Sequence, residues 1–160
     1  ATWADHIDLK TGRPVEEKDI RFEKGDVTIW PNPAGAHSWQ QQSYSPKTGL
    51  IYIPVTQNGV KYSQGEPIPG GVFIGGVWIG SEKQDERDGK GSLLAWDPAT
   101  QKQAWIVKHQ TMYNGGVLST AGNLVFQGIA DGTFSAYDAA SGNKVWSFNA
   151  GLGIIAAPMS

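Results

Sequence analysis

The sequence predicts an all-β fold, a partial β-propeller of about three four-stranded blades, and two observations lead to this prediction. The stretch AWDPATQKQAW, from Ala95 to Trp105, recurs as AYDAASGNKVW, from Ala136 to Trp146, 41 residues later. A period of about 40–45 residues is typical of four-stranded propeller blades. The 160 residues also include 21 Gly and 7 Trp, a composition that indicates many short strands joined by tight turns.

Residues 1–55 predict a looser blade. The stretch IDLKTGRPVE has Asp8, Thr11 and Gly12 at the positions of the repeated turn, but Glu16 at the position of the repeated Trp. A Pro- and Gly-rich link follows, and SYSPKTGLIYIPV then predicts a hairpin that turns at 46–49. Residues 56–90 predict an irregular insert, and we expect its charged end, SEKQDERDGK, to be a solvated loop tip.

Residues 91–109 predict the end of a blade, and 110–150 predict a complete one. The strands of the complete blade are expected in GGVLSTAG, NLVFQGIADG, TFSAYDAASG and NKVWSFNAG, with a turn at Asp131-Gly132. Residues 151–160 predict the inner strand of a further blade. The domain organisation is therefore a single partial propeller over residues 1–160.

The repeated residues are interpreted as architecture rather than as a site. Asp97 and Asp138 follow a strand, where an Asp side chain can bond the backbone of its own turn. Trp105 and Trp146 occupy the same blade position, which favours packing between neighbouring blades over stacking on a ligand. A single active site needs no second copy of its residues.

Composition restricts the function classes. The formal net charge is −2, so the sequence predicts no nucleic-acid binding. The absence of Cys excludes disulfides, thiolate metal sites and a c-type haem attachment motif from this segment. No apolar run has the length of a membrane helix, so no membrane span is predicted. The chain does not start with Met and lacks a signal-peptide core, so we expect a piece of a longer protein.

The candidate functional residues lie in two segments that are not repeated. GAHSWQQQSY places His37, Ser38 and Trp39 in a link before a strand, and MYNGGVL places Tyr113 and Asn114 before an inner strand. Propeller ligands bind where inner strands and loops converge. Trp39 could stack on a flat cofactor, and Asn114 could offer a donor and an acceptor. The alternatives are a structural or solvated His37 and simple turn chemistry at Asn114.

Other residues predict no chemistry. His109 follows the last strand of a blade and is expected to be a capping or solvated residue. The sequence has no evident carboxylate pair, metal cluster, nucleophile triad or phosphate-binding loop, so neither a catalytic residue nor a metal ligand is assigned.

The repeats resemble a known family. AWDPATQKQAW and AYDAASGNKVW are similar to the tryptophan-docking motif of the pyrroloquinoline quinone (PQQ) dehydrogenases of the methanol/ethanol dehydrogenase type. Three further segments resemble family segments in the same order; residues 56–90 match none. These segments are WADHIDLKTGRP, GAHSWQQQSYSPKTGLIYIP and YNGGVLSTAGNLVFQGIADGTFSAYDAASGNKVWSF.

The resemblance implies an eight-bladed ring with PQQ and Ca²⁺, or a lanthanide, in its channel. PQQ would take two reducing equivalents from an alcohol, an Asp would act as base, and the metal would polarise a quinone carbonyl. In family order the base, the metal ligands and the vicinal disulfide precede Ala1. Three residues match the cofactor rim, namely Ser38 (in place of the usual Asn), Trp39 and Asn114.

Two functions are therefore considered. The first is the C-terminal-side fragment of a periplasmic PQQ- and Ca-dependent dehydrogenase that oxidises alcohols to aldehydes and passes electrons to an acceptor such as a cytochrome c. Such a fragment would be inactive alone. The second is a non-catalytic propeller scaffold for protein–protein interaction. Outer-membrane assembly lipoproteins resemble this repeat pattern and serve as such scaffolds. In either case an open arc of blades exposes apolar faces, so the isolated chain is expected to associate with copies of itself or with the remainder of the ring.

Overall fold

The computed structural model describes residues 1–159, and these form fourteen strands and one short 3₁₀ helix, Phe22–Lys24. The strands, in chain order, are β1 (Ala4–Asp8), β2 (Arg13–Glu16), β3 (Val27–Ile29), β4 (Ser43–Ser45), β5 (Leu50–Gln57), β6 (Gly59–Ser63), β7 (Val72–Ile74), β8 (Val77–Glu82), β9 (Lys90–Asp97), β10 (Lys102–Lys108), β11 (Val117–Ser119), β12 (Leu124–Gly128), β13 (Thr133–Asp138) and β14 (Lys144–Asn149).

The chain divides into two compact units. The first contains Ala1–Ala36 and Gln57–Asp88, and the second contains His37–Thr56 together with the residues from Gly89 onward. Strands of the second unit form two four-stranded antiparallel sheets, with the orders β10-β9-β5-β4 and β11-β12-β13-β14. Each order is that of a propeller blade, so the prediction of an all-β partial propeller is confirmed.

Strand pairing explains the limits of the repeated sequence. Trp105 of β10 lies opposite Ala95 of β9, and Trp146 of β14 lies opposite Ala136 of β13. In both pairs of strands the register shifts close to the Trp. Each copy is therefore one antiparallel hairpin, and its first and last residues are cross-strand partners.

The turn of each hairpin is built as the sequence predicted. The Asp97 carboxylate accepts hydrogen bonds from Ala99 N–H (2.9 Å) and Thr100 Oγ1–H (2.8 Å). Asp138 accepts from Ser141 N–H (2.9 Å) and Ser141 Oγ–H (2.8 Å). The side-chain hydrogen bond from Thr100 is the main cause that lowers the pKa of Asp97. The side-chain hydrogen bond from Ser141 lowers the pKa of Asp138 in the same way. Both carboxylates therefore have a structural role as hydrogen-bond acceptors within their own turns.

The core of the second unit lies between its two sheets. Burial of apolar surface there is the main stabilising contribution of this unit. Nine residues form the buried cluster, namely Leu50, Tyr52, Leu93, Ala95, Trp105, Val117, Val125, Tyr137 and Ala139.

His109 belongs to a buried polar pair in the same interior, and the expectation of a capping or solvated residue is therefore wrong. This residue is buried rather than solvated, and its Nε2 lies 3.0 Å from Oε1 of the buried Gln127. Gln127 in turn donates to the carbonyl oxygen of Gly115 (3.0 Å). Position after a strand could not predict this, because the partner is 18 residues away in a strand of the other sheet.

The first unit contains a two-stranded sheet, β1-β2, and a four-stranded sheet of order β3-β6-β8-β7. The prediction of an irregular insert at 56–90 is therefore wrong, because β6, β7 and β8 lie within it. Gly59 in β6 lies beside the indole of Trp30: a Cβ on it would lie 2.5 Å from Trp30 Cε2. Glycine here permits close packing instead of a turn.

The charged end of this region is also not a simple solvated tip. Asp88 is 5% exposed and accepts from Trp30 Nε1–H (2.9 Å), Gln57 Nε2–H (3.0 Å), Gln84 N–H (2.9 Å) and Asp85 N–H (3.0 Å). Burial alone would raise the pKa of Asp88, but the hydrogen bonds outweigh it and the pKa is lowered.

Two further boundaries differ from the prediction. Residues 1–55 do not form one looser blade, because β1 and β2, then β3, then β4 and β5 belong to three different sheets. The described part of the last segment, 151–159, contains no strand. It runs instead along the preceding sheet, where Ile154 N–H donates to the Ile129 carbonyl (3.0 Å). Ser160 lies outside the described residues.

Candidate functional site

The candidate site lies at the edge where β4 and β11, the first strands of the two sheets of the second unit, run side by side. The Oγ atoms of Ser43 and Ser119 are 2.7 Å apart, and Ser119 N–H donates to Ser43 Oγ (3.0 Å). One step along, Val117 N–H donates to the Gln41 carbonyl (3.0 Å). These bonds fix the segment before β4 against the segment before β11.

The two unrepeated segments singled out in the sequence therefore meet. A Cβ on Gly116 would lie 2.9 Å from Gln41 N and 2.8 Å from Ala157 Cβ, so only Gly allows this approach. A Cβ on Gly115 would likewise lie 2.7 Å from the Ala156 carbonyl oxygen. The third segment at this edge, 154–157, was missed in the sequence because it contains only small and apolar residues.

Ser38 and Trp39 are both exposed, and Trp39 is 59% exposed. Their segment is anchored by His37, whose Nδ1 lies 2.8 Å from the Pro54 carbonyl oxygen. Since that oxygen can only accept, Nδ1 carries the proton. His37 thus has a structural role, and the large flat side chain available to a ligand is the neighbouring Trp39.

Gln40 is the unusual residue of this segment. It is buried, and its Oε1 has no hydrogen-bond partner among residues 1–159. A buried amide oxygen without a partner is costly in a native protein and marks a place where a further donor would be stabilising. Its two neighbours in the chain, Trp39 and Gln41, are exposed.

Asn114 is not on the exposed rim. It is buried, and its Oδ1 accepts from Thr111 Oγ1–H (2.5 Å) and Ala130 N–H (3.3 Å), while Nδ2 donates to the Thr111 carbonyl (3.1 Å). These bonds hold the chain in place immediately before Gly115. The exposed neighbour is Tyr113.

The two repeated tryptophans have different surroundings. Trp105 is 9% exposed, and its indole N–H donates to the Ala139 carbonyl (3.1 Å) in the turn after β13 of the other sheet, as the sequence predicted for a contact between blades. Trp146 is 50% exposed and contacts only the rings of Phe134 and Phe148 among aromatic residues of 1–159. Packing of Trp146 between two blades stays a prediction.

A second concave surface lies in the first unit and was not predicted. It has a volume of about 270 Å³ and an apolar aromatic lining that includes Trp3, Phe22 and Tyr62. The ion pair between Arg21 and Glu16 lies at its edge. No sequence motif marks it, because its lining comes from separate strands.

Among residues 1–159, no group of three or more His, Asp or Glu side chains could hold a metal ion. No helix in this part of the chain has the length and apolarity to cross a membrane.

Comparison with known proteins shows a matching family and a similar curated protein. The sequence model of a family named PQQ_2, described as outer membrane protein assembly factor BamB, matches residues 23–159. Quinohemoprotein alcohol dehydrogenase ADH IIB of Pseudomonas putida is 46% identical over 162 residues, which cover 99% of this chain and 24% of that protein.

Two solved structures of dehydrogenases also resemble this chain. The crystal structure of quinohemoprotein alcohol dehydrogenase from Comamonas testosteroni matches with a TM-score of 0.82 and 38% identity, over 98% of this chain and 25% of the other. A europium-containing methanol dehydrogenase matches with a TM-score of 0.80 and 30% identity, over 98% and 28%. The chain spans about a quarter of the length of the relatives it matches.

Proposed function

Because this chain belongs to the family of PQQ-dependent (quinoprotein) alcohol dehydrogenases, we propose that it forms part of the cofactor channel of an enzyme that oxidises alcohols to aldehydes. The observation that carries the proposal is the exposed Ser38–Trp39 pair, which shortly precedes Gln41, the residue whose backbone N would lie 2.9 Å from a Cβ on Gly116. The proposed site thus combines an aromatic side chain with a rigid strand edge.

The side chains at this edge fit one border of PQQ, a flat quinone that carries carboxylates. The exposed indole of Trp39 offers a surface for stacking on a planar ring. The hydroxyl of Ser38 can donate a hydrogen bond, although it is shorter than the Asn that the family usually has there. The orphaned Oε1 of Gln40 supports the view that this edge lacks a partner.

Asn114 enters the proposal as a rim residue with a positioning role. Its bonds to Thr111 and Ala130 fix the backbone that leads to Gly115. We propose that it keeps the strand edge at a constant distance from the cofactor.

Bound PQQ would supply the two-electron acceptor for the alcohol. The residues of this chain would orient it and exclude water on one side: Trp39 by stacking, and Ser38 by a hydrogen bond. We propose that the general base and the Ca²⁺ ligands are provided by other parts of the enzyme, so this chain alone is inactive.

We further propose that the enzyme is periplasmic and passes its electrons to a cytochrome c. The support is the resemblance itself and the word quinohemoprotein in the names of its relatives, which implies haem as their electron carrier. The substrate class, alcohols, rests on the same relatives. The repeated Asp-to-Trp hairpins would serve as tryptophan-docking motifs, and the exposed Trp146 favours self-association of the chain.

The test is a titration of the chain with PQQ, followed by NMR of the backbone and indole N–H groups. PQQ at millimolar concentration should shift the resonances of Ser38, Gly116 and the Trp39 indole, and leave the Trp78 indole unchanged. Trp39→Ala should abolish the shifts, whereas Phe73→Ala, which removes a comparably exposed aromatic ring, should preserve them. Shifts confined to the first unit would refute the site.

A non-catalytic scaffold for protein–protein interaction is the second candidate, and the description of the matching family favours it. A scaffold needs no cofactor rim. No PQQ-induced shift anywhere in the chain would support the scaffold over the dehydrogenase. Conversely, alcohol oxidation by the chain with PQQ, Ca²⁺ and an artificial electron acceptor would contradict the proposal that base and metal ligands lie elsewhere.

A further inference from the structure

A stretch of the first unit takes no part in the proposed function. PIPGGVFIGGVWIG, residues 67–80, carries no charged side chain and no hydroxyl or carboxamide group. It is internal to the chain, between Glu66 on one side and Ser81 and Glu82 on the other. Side chains of this kind are usually buried, so their exposure in the structure needs an explanation.

These residues form a hairpin that ends in open space. β7 pairs with β8, with Phe73 opposite Trp78 and Ile74 opposite Val77. Gly75 and Gly76 form the turn, and both have positive φ (+61° and +87°), as a two-residue hairpin turn requires. A Cβ on either glycine would have no heavy atom within 4 Å. The end of the hairpin therefore stands free of the rest of residues 1–159.

The apolar side chains near this end are exposed on both faces of the hairpin. Val72 is 55% exposed, Phe73 is 58% exposed and Ile74 is 61% exposed. Because successive residues of a strand point to opposite faces, Phe73 lies on one face and its two neighbours lie on the other. The Phe73 ring contacts the half-buried Trp78, with ring centroids 5.3 Å apart. A partner that covered one face would leave the other in water.

β7 is also an edge strand without the usual protection. The sheet order β3-β6-β8-β7 leaves one side of β7 without a paired strand in the described part of the chain. Edge strands of soluble sheets are commonly protected by charged side chains or by a covering element. β7 has no charged side chain, and all three of its residues are exposed. This edge therefore has the composition of a contact surface.

We propose that the β7–β8 hairpin is a lipid-binding element, which places the side chains of Val72, Phe73 and Ile74 in the interface of a bilayer. Lipid surrounds a projecting tip on both faces, which a flat protein surface does not. Aromatic and large aliphatic side chains favour this region of the bilayer. The hairpin contains neither Lys nor Arg to attract anionic headgroups, so the lipid surface that it fits is zwitterionic.

The depth of insertion follows from the backbone of the edge strand. Unpaired N–H and C=O groups are costly in hydrocarbon. The backbone of β7 should therefore remain at the level of the headgroups while its side chains reach the boundary of the acyl chains. The hairpin thus attaches the protein to a lipid surface and does not span it.

Sedimentation of the chain with phosphatidylcholine vesicles tests the proposal. The wild type should bind, and Phe73→Ser and Ile74→Ser should each lower the partition coefficient about tenfold or more, since each removes a large apolar side chain from the lipid. Phe148→Ser is the matched control and should leave the coefficient unchanged. Phe148 is also 58% exposed, but it lies in β14 between Ser147 and Asn149. Circular dichroism checks that each variant is folded.

The composition of the vesicles and of the buffer makes the test stricter. Replacing about a quarter of the lipid by anionic phosphatidylglycerol, or adding about 0.5 M NaCl, should change the partition coefficient less than about threefold. A wild type that does not bind, binding that requires the anionic lipid, or an equal loss in Phe148→Ser would each overturn the proposal.

A second copy of the chain is the competing occupant of the hairpin. Analytical ultracentrifugation of the wild type and of Phe73→Ser distinguishes it from lipid. Oligomers that dissociate in Phe73→Ser, in a chain that binds no vesicles, would show an interface between copies and would also overturn the proposal. None of these measurements involves PQQ, so their outcome is independent of the proposed cofactor site.

Discussion

The indole N–H of Trp105 donates a hydrogen bond of 3.1 Å to the carbonyl oxygen of Ala139, 34 residues later in the chain. The Tyr52 hydroxyl donates to the same oxygen at 3.0 Å. Two side chains from one sheet thus converge on one carbonyl group in the turn of the other. Because all three residues are buried, the geometry fixes how the two sheets pack.

Trp105→Phe should destabilise the chain while Trp146→Phe should not. The Phe at 105 keeps a ring in the core but loses the hydrogen bond to Ala139, a loss of about 1 kcal/mol in the free energy of unfolding. Trp146 has no such bond, so its change should stay within about 0.5 kcal/mol. Urea unfolding in dilute solution measures both, and equal losses would contradict the distinction.

Gly142→Ala should cost more than Gly49→Ala. Both glycines have φ near +70°, so an alanine at either position pays about 1–2 kcal/mol of backbone strain. Only at 142 does the new methyl group collide with Trp105, which adds about 1–3 kcal/mol of overpacking. Thermal unfolding of the two variants isolates the second contribution. A lower melting temperature for Gly49→Ala than for Gly142→Ala would show that the contact between residue 142 and Trp105 tolerates a side chain.

Gln40→Met should be neutral or stabilising, whereas Gln127→Met should be destabilising. Both amides are buried, but Oε1 of Gln40 has no partner among the described residues, while Gln127 bonds His109 and Gly115. Replacing Gln127 removes its hydrogen bonds with His109 and with the Gly115 carbonyl in a buried position, at a cost of about 1–3 kcal/mol. Denaturant midpoints of both variants give the comparison. A loss of similar size at Gln40 would mean that its oxygen has a partner after all.

The sequence predicted the repeated architecture well because each hairpin is specified by local chemistry. The Asp97 and Asp138 turns, the strand that ends at each turn and the returning strand all depend on residues within a dozen positions of one another. The β4–β5 hairpin, with Gly49 N–H bonded to the Ser45 carbonyl, is predictable for the same reason.

Long-range relationships were not predictable from these local rules. β6 pairs with β3, which lies some thirty residues earlier, β8 pairs with β6, and the glycines of these strands resemble turn signals. Burial at the candidate site was not predictable either. Ser38 and Trp39 are exposed in the link before β4, whereas Asn114 is buried, and its partner Ala130 lies 16 residues later in the chain. The position of these residues at a cofactor rim stays a prediction.

The stability of the first unit should fall in acid through Asp88. Its folded-state pKa is lowered, so its contribution is present above the unfolded value of about 3.9 and is lost as the pH falls through the folded value. At neutral pH, Asp88→Asn replaces one carboxylate oxygen by an amide NH2 group, which then faces two of the four N–H donors, and should cost about 1–3 kcal/mol. Below pH 4 the difference between variant and wild type should shrink, since the wild-type carboxylate is then losing its charge. Chemical unfolding between pH 2 and pH 7, monitored by Trp fluorescence, measures this difference, with the exposed Asp19→Asn as the control. A difference that stays constant across that range would mean that the charge of Asp88 does not stabilise the unit.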